Sequence, residues 1–144
     1  MINELQLSPT LYTGGSPNLI DLVNLQAAGV QVVINLALVT SPNAIPDEAG
    51  EVARLGMEYI HIPVIWETPT RQNLADFFDA MERNQGKGVF VHCVKNMRVS
   101  AFIYLYRILR QGWAPDDAIL NLIEIWEPEG TWEAFIEESL THPI

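Results

Sequence analysis

The uninterrupted apolar run Gly88-Val89-Phe90-Val91 leads through His92-Cys93-Val94-Lys95-Asn96-Met97-Arg98 into an apolar pattern from Val99 to Arg110, and this unit most limits what the chain can fold into. A short β-branched and aromatic run suits a strand covered on both faces, and the longer pattern after it suits a buried helix. The residues between them form a loop entering a helix N-terminus, where backbone N–H groups and the positive end of the helix dipole favour an anion. Cys93, the only cysteine, lies in that loop. An electropositive setting favours the thiolate, the form of cysteine that attacks electrophiles. Arg98 adds a planar, permanently charged fork matched to tetrahedral oxyanions. Together these parts suggest thiolate attack on an anionic ester.

The remaining sequence alternates short strand-like runs with helical patterns. Ser16-Pro17 predicts an N-cap and first helical residue, Leu19, Leu22, Val23 and Leu25 an apolar helical face, and Gly29 its stop. Val30 to Leu36 predicts a buried strand. Pro46-Asp47-Glu48 opens a helix with acidic residues in its first turn, and Gly56 ends it. Met57 to Val64 predicts the next strand, followed by the loop Ile65-Trp66-Glu67-Thr68-Pro69. Thr70 caps a helix to about Asn84, with Leu74, Phe77, Phe78 and Met81 inward. Helices over Val99–Gln111, Pro115–Trp126 and Thr131 to about Leu140 complete the chain. The expected fold class is α/β, with a mostly parallel central sheet of about four to five strands flanked by helices in one domain over residues 1–144. In such sheets ligands bind beyond the carboxyl ends of the strands, so the loops at Cys93 and Glu67 are expected to face one pocket.

Composition narrows the partners. At 144 residues, with 49% apolar and 18% charged content, the chain fits one ordinary globular domain. A single cysteine allows no internal disulfide and argues against dithiol exchange, which makes a reducing cytoplasm the default location. No apolar run approaches the ~18 residues of a membrane span, and Met1-Ile2-Asn3-Glu4 lacks the basic and apolar regions of a secretory signal. A net charge of −10 argues against nucleic acid, whose phosphates need a basic face, and favours small or singly phosphorylated targets over polyanions. Glu124, Glu127, Glu129, Glu133, Glu137 and Glu138 lack interleaved ligands at metal spacing and read as a solvated acidic face. No metal or cofactor is expected.

The loop resembles the signature of the cysteine-dependent protein tyrosine phosphatases, His-Cys-x-x-Gly-x-x-Arg-Ser/Thr. His92 and Cys93 agree with it, and Ser100 lies where the Ser/Thr falls. Asn96 stands at the glycine position, and asparagine is among the few residues that tolerate positive φ. Arg98 comes one position early, giving C-x4-R, and Val99 takes the family's arginine position. One helical residue turns a side chain by roughly 100°, a rotation that a long arginine can recover. In chain order, Leu11-Tyr12-Thr13-Gly14-Gly15-Ser16-Pro17, Met57 to Val64 and Trp126-Glu127-Pro128 resemble segments of compact bacterial dual-specificity-phosphatase-like proteins.

That resemblance implies metal-free, two-step hydrolysis of a phosphomonoester, on a small molecule or a phosphoprotein. Cys93 would form a cysteinyl-phosphate. Arg98 and the loop residues Val94, Lys95, Asn96 and Met97 would hold the phosphate, His92 would orient the loop, and Ser100 would ease departure of the thiolate. The family carries an aspartate general acid on a neighbouring loop; here the corresponding loop offers Glu67, beside Trp66. Plainer roles stand beside these: a buried apolar cysteine, a solvated helix arginine, a surface glutamate, and a helix serine bonded back to a carbonyl. The early Arg98 also fits the shorter cysteine loop of rhodanese-like sulfurtransferases. A phosphate-binding module without turnover is the third reading.

Overall fold

A computed structural model describes residues 1–144. Its strands are β1 (Leu5–Ser8), β2 (Leu11–Gly14), β3 (Val30–Asn35), β4 (Glu58–His61) and β5 (Gly88–His92). Its helices are α1 (Leu19–Ala27), α2 (Glu48–Arg54), α3 (Arg71–Arg83), α4 (Met97–Leu109), α5 (Pro115–Ile125) and α6 (Thr131–Thr141). The sheet order is β1-β2-β5-β3-β4, with every neighbouring pair parallel except the β1–β2 hairpin. No helix is long and apolar enough to cross a membrane.

β5 occupies the middle of the sheet, and all its residues are buried, which is why its sequence is apolar without alternation. Side chains along a strand still alternate between faces. Val89 and Val91 join Val32 and Ile34 in the larger core, beneath Leu74, Phe77 and Phe78 of α3 and Phe102 and Leu105 of α4. Phe90 points the other way, into a smaller core with Val33, Leu22 of α1 and Val52 of α2. α4 is buried from Arg98 to Arg107 without a break, because the sheet lies on one side of it and α3, α5 and α6 pack around it.

Register brings four strand ends into one row. Gly14 of β2 and Asn35 of β3 both pair with His92 of β5, and Asn35 also pairs with His61 of β4. The loops that follow β5 and β4 therefore rise from the same edge, as the sequence predicts for a ligand-binding crevice.

Several elements depart from the sequence-based expectations. The β1–β2 hairpin goes unpredicted, since its half-buried strands are short and polar enough to carry no clear period. α1 begins at Leu19 rather than Pro17: the Asn18 side chain accepts from Asp21 N at 2.8 Å while Asp21 accepts from Asn18 N at 2.9 Å, a reciprocal capping box that outcompetes Ser16. β4 covers only Glu58–His61 of the predicted Met57 to Val64, with Pro63 beyond its end. The Thr70 cap lies where it is expected, whereas Asp47, expected in the first turn of its helix, is instead the N-cap of α2.

The segment before α1 also supports the loop after β5. Gly15 pairs with Lys95 across an isolated bridge, donates to Ile2 O at 2.8 Å, and is followed by Ser16, whose N–H donates to Val94 O at 3.0 Å. A Cβ on Gly15 would lie 2.3 Å from the Val94 carbonyl oxygen and 3.0 Å from that of Ile2, both backbone atoms that cannot swing aside. Gly15→Ala is expected to lower unfolding free energy by about 1–3 kcal/mol, as overpacking does, measured as a shift of the urea midpoint without change of slope.

Candidate active site

The loop between β5 and α4 turns on Asn96, which has φ 66° and stands as the helix N-cap without making a side-chain cap bond. Apart from Asn96, whose N–H faces Gly14 O across the bridge between Gly15 and Lys95, no backbone amide from Val94 through Val99 is aimed at a backbone carbonyl. The carbonyls in the same stretch are occupied. Cys93 O faces His92 Nδ1 at 3.2 Å and Ser16 Oγ at 3.4 Å, and Val94 O accepts from Ser16 N. In a planar trans peptide the C=O and the following N–H point in opposite directions. Tying the Cys93 and Val94 carbonyls to Ser16 therefore turns the amides of Val94 and Lys95 away from that contact, leaving donors for an anion at the helix N-terminus.

A cavity of ≈ 290 Å³ opens over this loop, lined by Trp66, Cys93, Val94, Lys95, Met97 and Arg98. Cys93 is only 1% exposed and sits at the cavity floor, so its sulfur is reached by way of the cavity alone. Arg98, 7% exposed, lines the same cavity while donating from Nη1 to Val64 O at 2.8 Å. A guanidinium carries five N–H donors in a fixed fork, so this bond anchors one edge and leaves others for a ligand. Lys95 is exposed at the rim. Larger cavities of ≈ 850 Å³ and ≈ 530 Å³ lie along α1 and the N-terminal strands, and another of ≈ 530 Å³ lies beside α2, but none is lined by cysteine, lysine or arginine.

Strand alternation separates His92 from its neighbour. His92 shares the face of Phe90, on which it stacks at 5.4 Å, and so lies under α2. There its Nε2 meets Glu48 Oε2 at 2.7 Å, both side chains buried, while Nδ1 reaches the Cys93 carbonyl. Both ring nitrogens face oxygen acceptors, an arrangement fully satisfied when both carry protons. The nearby Tyr59 phenol is raised above its ordinary pKa by burial; the hydrogen bond from Asn35 opposes this, and the Glu48 charge adds to it. Glu48 escaped sequence reasoning because an acidic residue in a first helical turn is explained by the helix dipole alone.

Ser100 is buried on α4. Its hydroxyl donates to Met97 O at 3.0 Å and accepts from Trp126 Nε1 at 3.1 Å. Glu67 is exposed and does not line the cavity; it lies in the turn closed by Thr68 N donating to Ile65 O at 3.0 Å. Its neighbour Trp66 does line it, packed against Trp126 at 5.4 Å and Trp132 at 5.5 Å, with Trp132 Nε1 donating to Trp66 O at 2.8 Å. The structure thus gathers Cys93, Val94, Lys95, Met97 and Arg98 around one cavity, places His92 behind it, and leaves Ser100 and Glu67 outside its lining. The Asn96 side chain is directed away, toward Asn3 and Thr13. No three His, Cys, Asp or Glu side chains converge as metal ligands.

Comparison with known proteins gives this geometry a lineage. A search of curated proteins returns no match. A family described as DSP-PTPase phosphatase fused to NAD+ kinase matches residues 2–125. A candidate phosphatase of the DUF442 group from Shewanella putrefaciens CN-32 is 38% identical, with a TM-score of 0.88 over 99% of this chain and 94% of its own. The fold is also shared with PTPMT1, solved in complex with PI(5)P, at 19% identity and a TM-score of 0.79 over 94% of this chain and 92% of that one. A candidate phosphatase from Neisseria meningitidis Z2491 is 15% identical, with a TM-score of 0.72 over 96% and 99% of the two chains. The match over residues 2–125 and the close kinship with the Shewanella protein show that the chain belongs to the family of DSP-PTPase phosphatase domains.

Proposed function

We propose that this domain hydrolyses phosphomonoesters through a cysteinyl-phosphate on Cys93. The observation that carries the reading is the placement of the only cysteine at the floor of a cavity shared with Arg98 and rimmed by unpartnered loop amides. In the first step the Cys93 thiolate attacks phosphorus, the S–P bond forms, and the bond to the leaving oxygen breaks. Charge on the equatorial oxygens is met by the Arg98 fork and the amides of Val94, Lys95 and Met97, donors already in place before reaction. In the second step water attacks phosphorus, the S–P bond breaks, and phosphate leaves with the thiolate restored.

Glu67 is the proposed proton donor to the leaving oxygen and the base that then activates water. Its support is adjacency: Trp66 forms one wall of the cavity, and the next residue reaches a ligand that protrudes past that wall. Ser100 would assist the departing thiolate by turning its proton from the Met97 carbonyl toward sulfur. Glu48 fixes the His92 ring, which in turn holds the Cys93 carbonyl. The apolar lining from Trp66, Val94 and Met97, set against a net charge of −10, favours a singly phosphorylated group on an apolar or aromatic carrier.

Cys93→Ser is expected to abolish hydrolysis of p-nitrophenyl phosphate; wild-type rates in that variant would remove the thiol from the mechanism. Arg98→Ala should lower kcat about 10²–10³-fold, the usual loss for one oxyanion donor. Glu67→Gln should cost more with phenyl phosphate than with p-nitrophenyl phosphate, because the poorer leaving group depends more on a general acid. Equal losses on the two substrates would deny Glu67 that role. Glu48→Ala should lower unfolding free energy by about 1–3 kcal/mol, as for a buried donor left without its acceptor. Glu48→Gln, which keeps an acceptor oxygen, should restore most of that stability, as read by urea unfolding.

A further inference from the structure

Two asparagines at positive φ, Asn3 at 53° and Asn96 at 66°, exchange hydrogen bonds on the outer side of the anion loop. The Asn96 side chain is fully buried, and its Nδ2 donates to Asn3 O at 2.8 Å and to Thr13 Oγ1 at 3.0 Å. Asn3 Nδ2 returns a bond to Lys95 O at 3.0 Å. The amide orientation of Asn96 is fixed by its partner, because the Asn3 carbonyl can only accept. That orientation leaves Asn96 Oδ1 buried without a donor. Glycine at this position would adopt the same φ and strand no oxygen, so what the asparagine contributes is its pair of donor bonds.

We infer that Asn3 and Asn96 form a reciprocal lock that positions the anion loop, an inference resting on the reading of Cys93 and its loop as a phosphate site. Neither side chain touches the ligand; both act through the peptides between them. Ser16 holds the carbonyls of Cys93 and Val94, and Asn3 extends the same constraint to the next carbonyl, Lys95. Because the peptide is planar and trans, fixing Lys95 O also fixes the direction of the Asn96 N–H, which faces Gly14 O across the bridge between Gly15 and Lys95. Asn96 in turn holds the Asn3 carbonyl, so the segment that aims the peptide is fastened by the residue it aims. Ile2 O, accepting from Gly15 N at 2.8 Å, ties that segment to β2. The glycine of the phosphatase signature is thus replaced here by a side chain that joins the loop to the segment before β1.

The test uses Asn3→Gly, Asn96→Gly and the double variant, glycine being chosen because both positions have positive φ. Each single change should raise the Kd for inorganic phosphate about tenfold, and the double variant should be no weaker than the weaker single one. The thermal midpoint of Asn3→Gly, a change at an exposed residue, should stay close to that of wild type. Wild-type phosphate affinity in Asn96→Gly, or losses that multiply in the double variant, would overturn the lock. Backbone amide exchange reads the same device without turnover: the Asn96 amide should exchange at a different rate in Asn3→Gly, and an unchanged rate would equally overturn it. Failure of the wild-type protein to bind phosphate or hydrolyse any ester would instead sink the phosphatase reading, and the exchange measurement keeps the two failures apart.

Discussion

The parallel pairing of β5 between β2 and β3 is the constraint from which the rest of the site follows. Because both neighbours register on His92, the strand ends at the middle of the sheet edge, and its pleat sends consecutive side chains to opposite layers. His92 falls among the residues under α2, where a buried carboxylate meets it. Cys93 falls on the side of α4, where it lines a cavity with Arg98 and the start of that helix. A slip of one residue in that pairing would exchange the two faces, placing the imidazole in the cavity and the sulfur beneath α2. The division of labour between His92 and Cys93 is therefore a property of sheet register before it is one of loop chemistry.

The early position of Arg98 becomes intelligible once the helix start is known. α4 begins at Met97, two residues ahead of the predicted Val99, because Asn96 takes the left-handed conformation and lets the helix begin at once. Arg98 is then a first-turn residue, close to the loop it serves, and its anchor on Val64 O steers the guanidinium to the cavity. The shorter spacing that also suits a rhodanese-like loop is a local coincidence, since the match to the phosphatase family spans residues 2–125.

What the sequence disclosed and what it concealed divide along the range of the interactions. Val30 to Leu36, the Thr70 cap and the run from Gly88 to His92 are legible because their causes are local: β-branched content, a capping side chain, a period. Cys93, Arg98 and Asn96 stood out because their neighbours in the chain are also their neighbours in space. Glu48 with His92, Asn3 with Asn96, and Trp66 with Trp126 and Trp132 join residues far apart in sequence, and each has an ordinary local explanation that hides its partner. Glu67 is the converse case. Its loop does stand beside that of Cys93, yet the Glu67 side chain stays in solvent, while Trp66, 38% exposed, packs against Trp126 and Trp132.

Those tryptophans make the C-terminal helices part of the site. Trp126, at the end of α5, donates to Ser100 in the first turns of α4, and Trp132 of α6 holds the Trp66 carbonyl. Trp66 is thus pinned by two residues that lie beyond the stretch matched by the family model, residues 2–125, yet within the 99% of the chain shared with the Shewanella structure. The wall of the cavity at Trp66 therefore depends on α6 and the end of α5, whose tryptophans pack against it. Under the proposed function a cavity so assembled separates two problems: binding of the phosphate falls to the loop amides and Arg98, and recognition of its carrier to Trp66 and the helices that hold it.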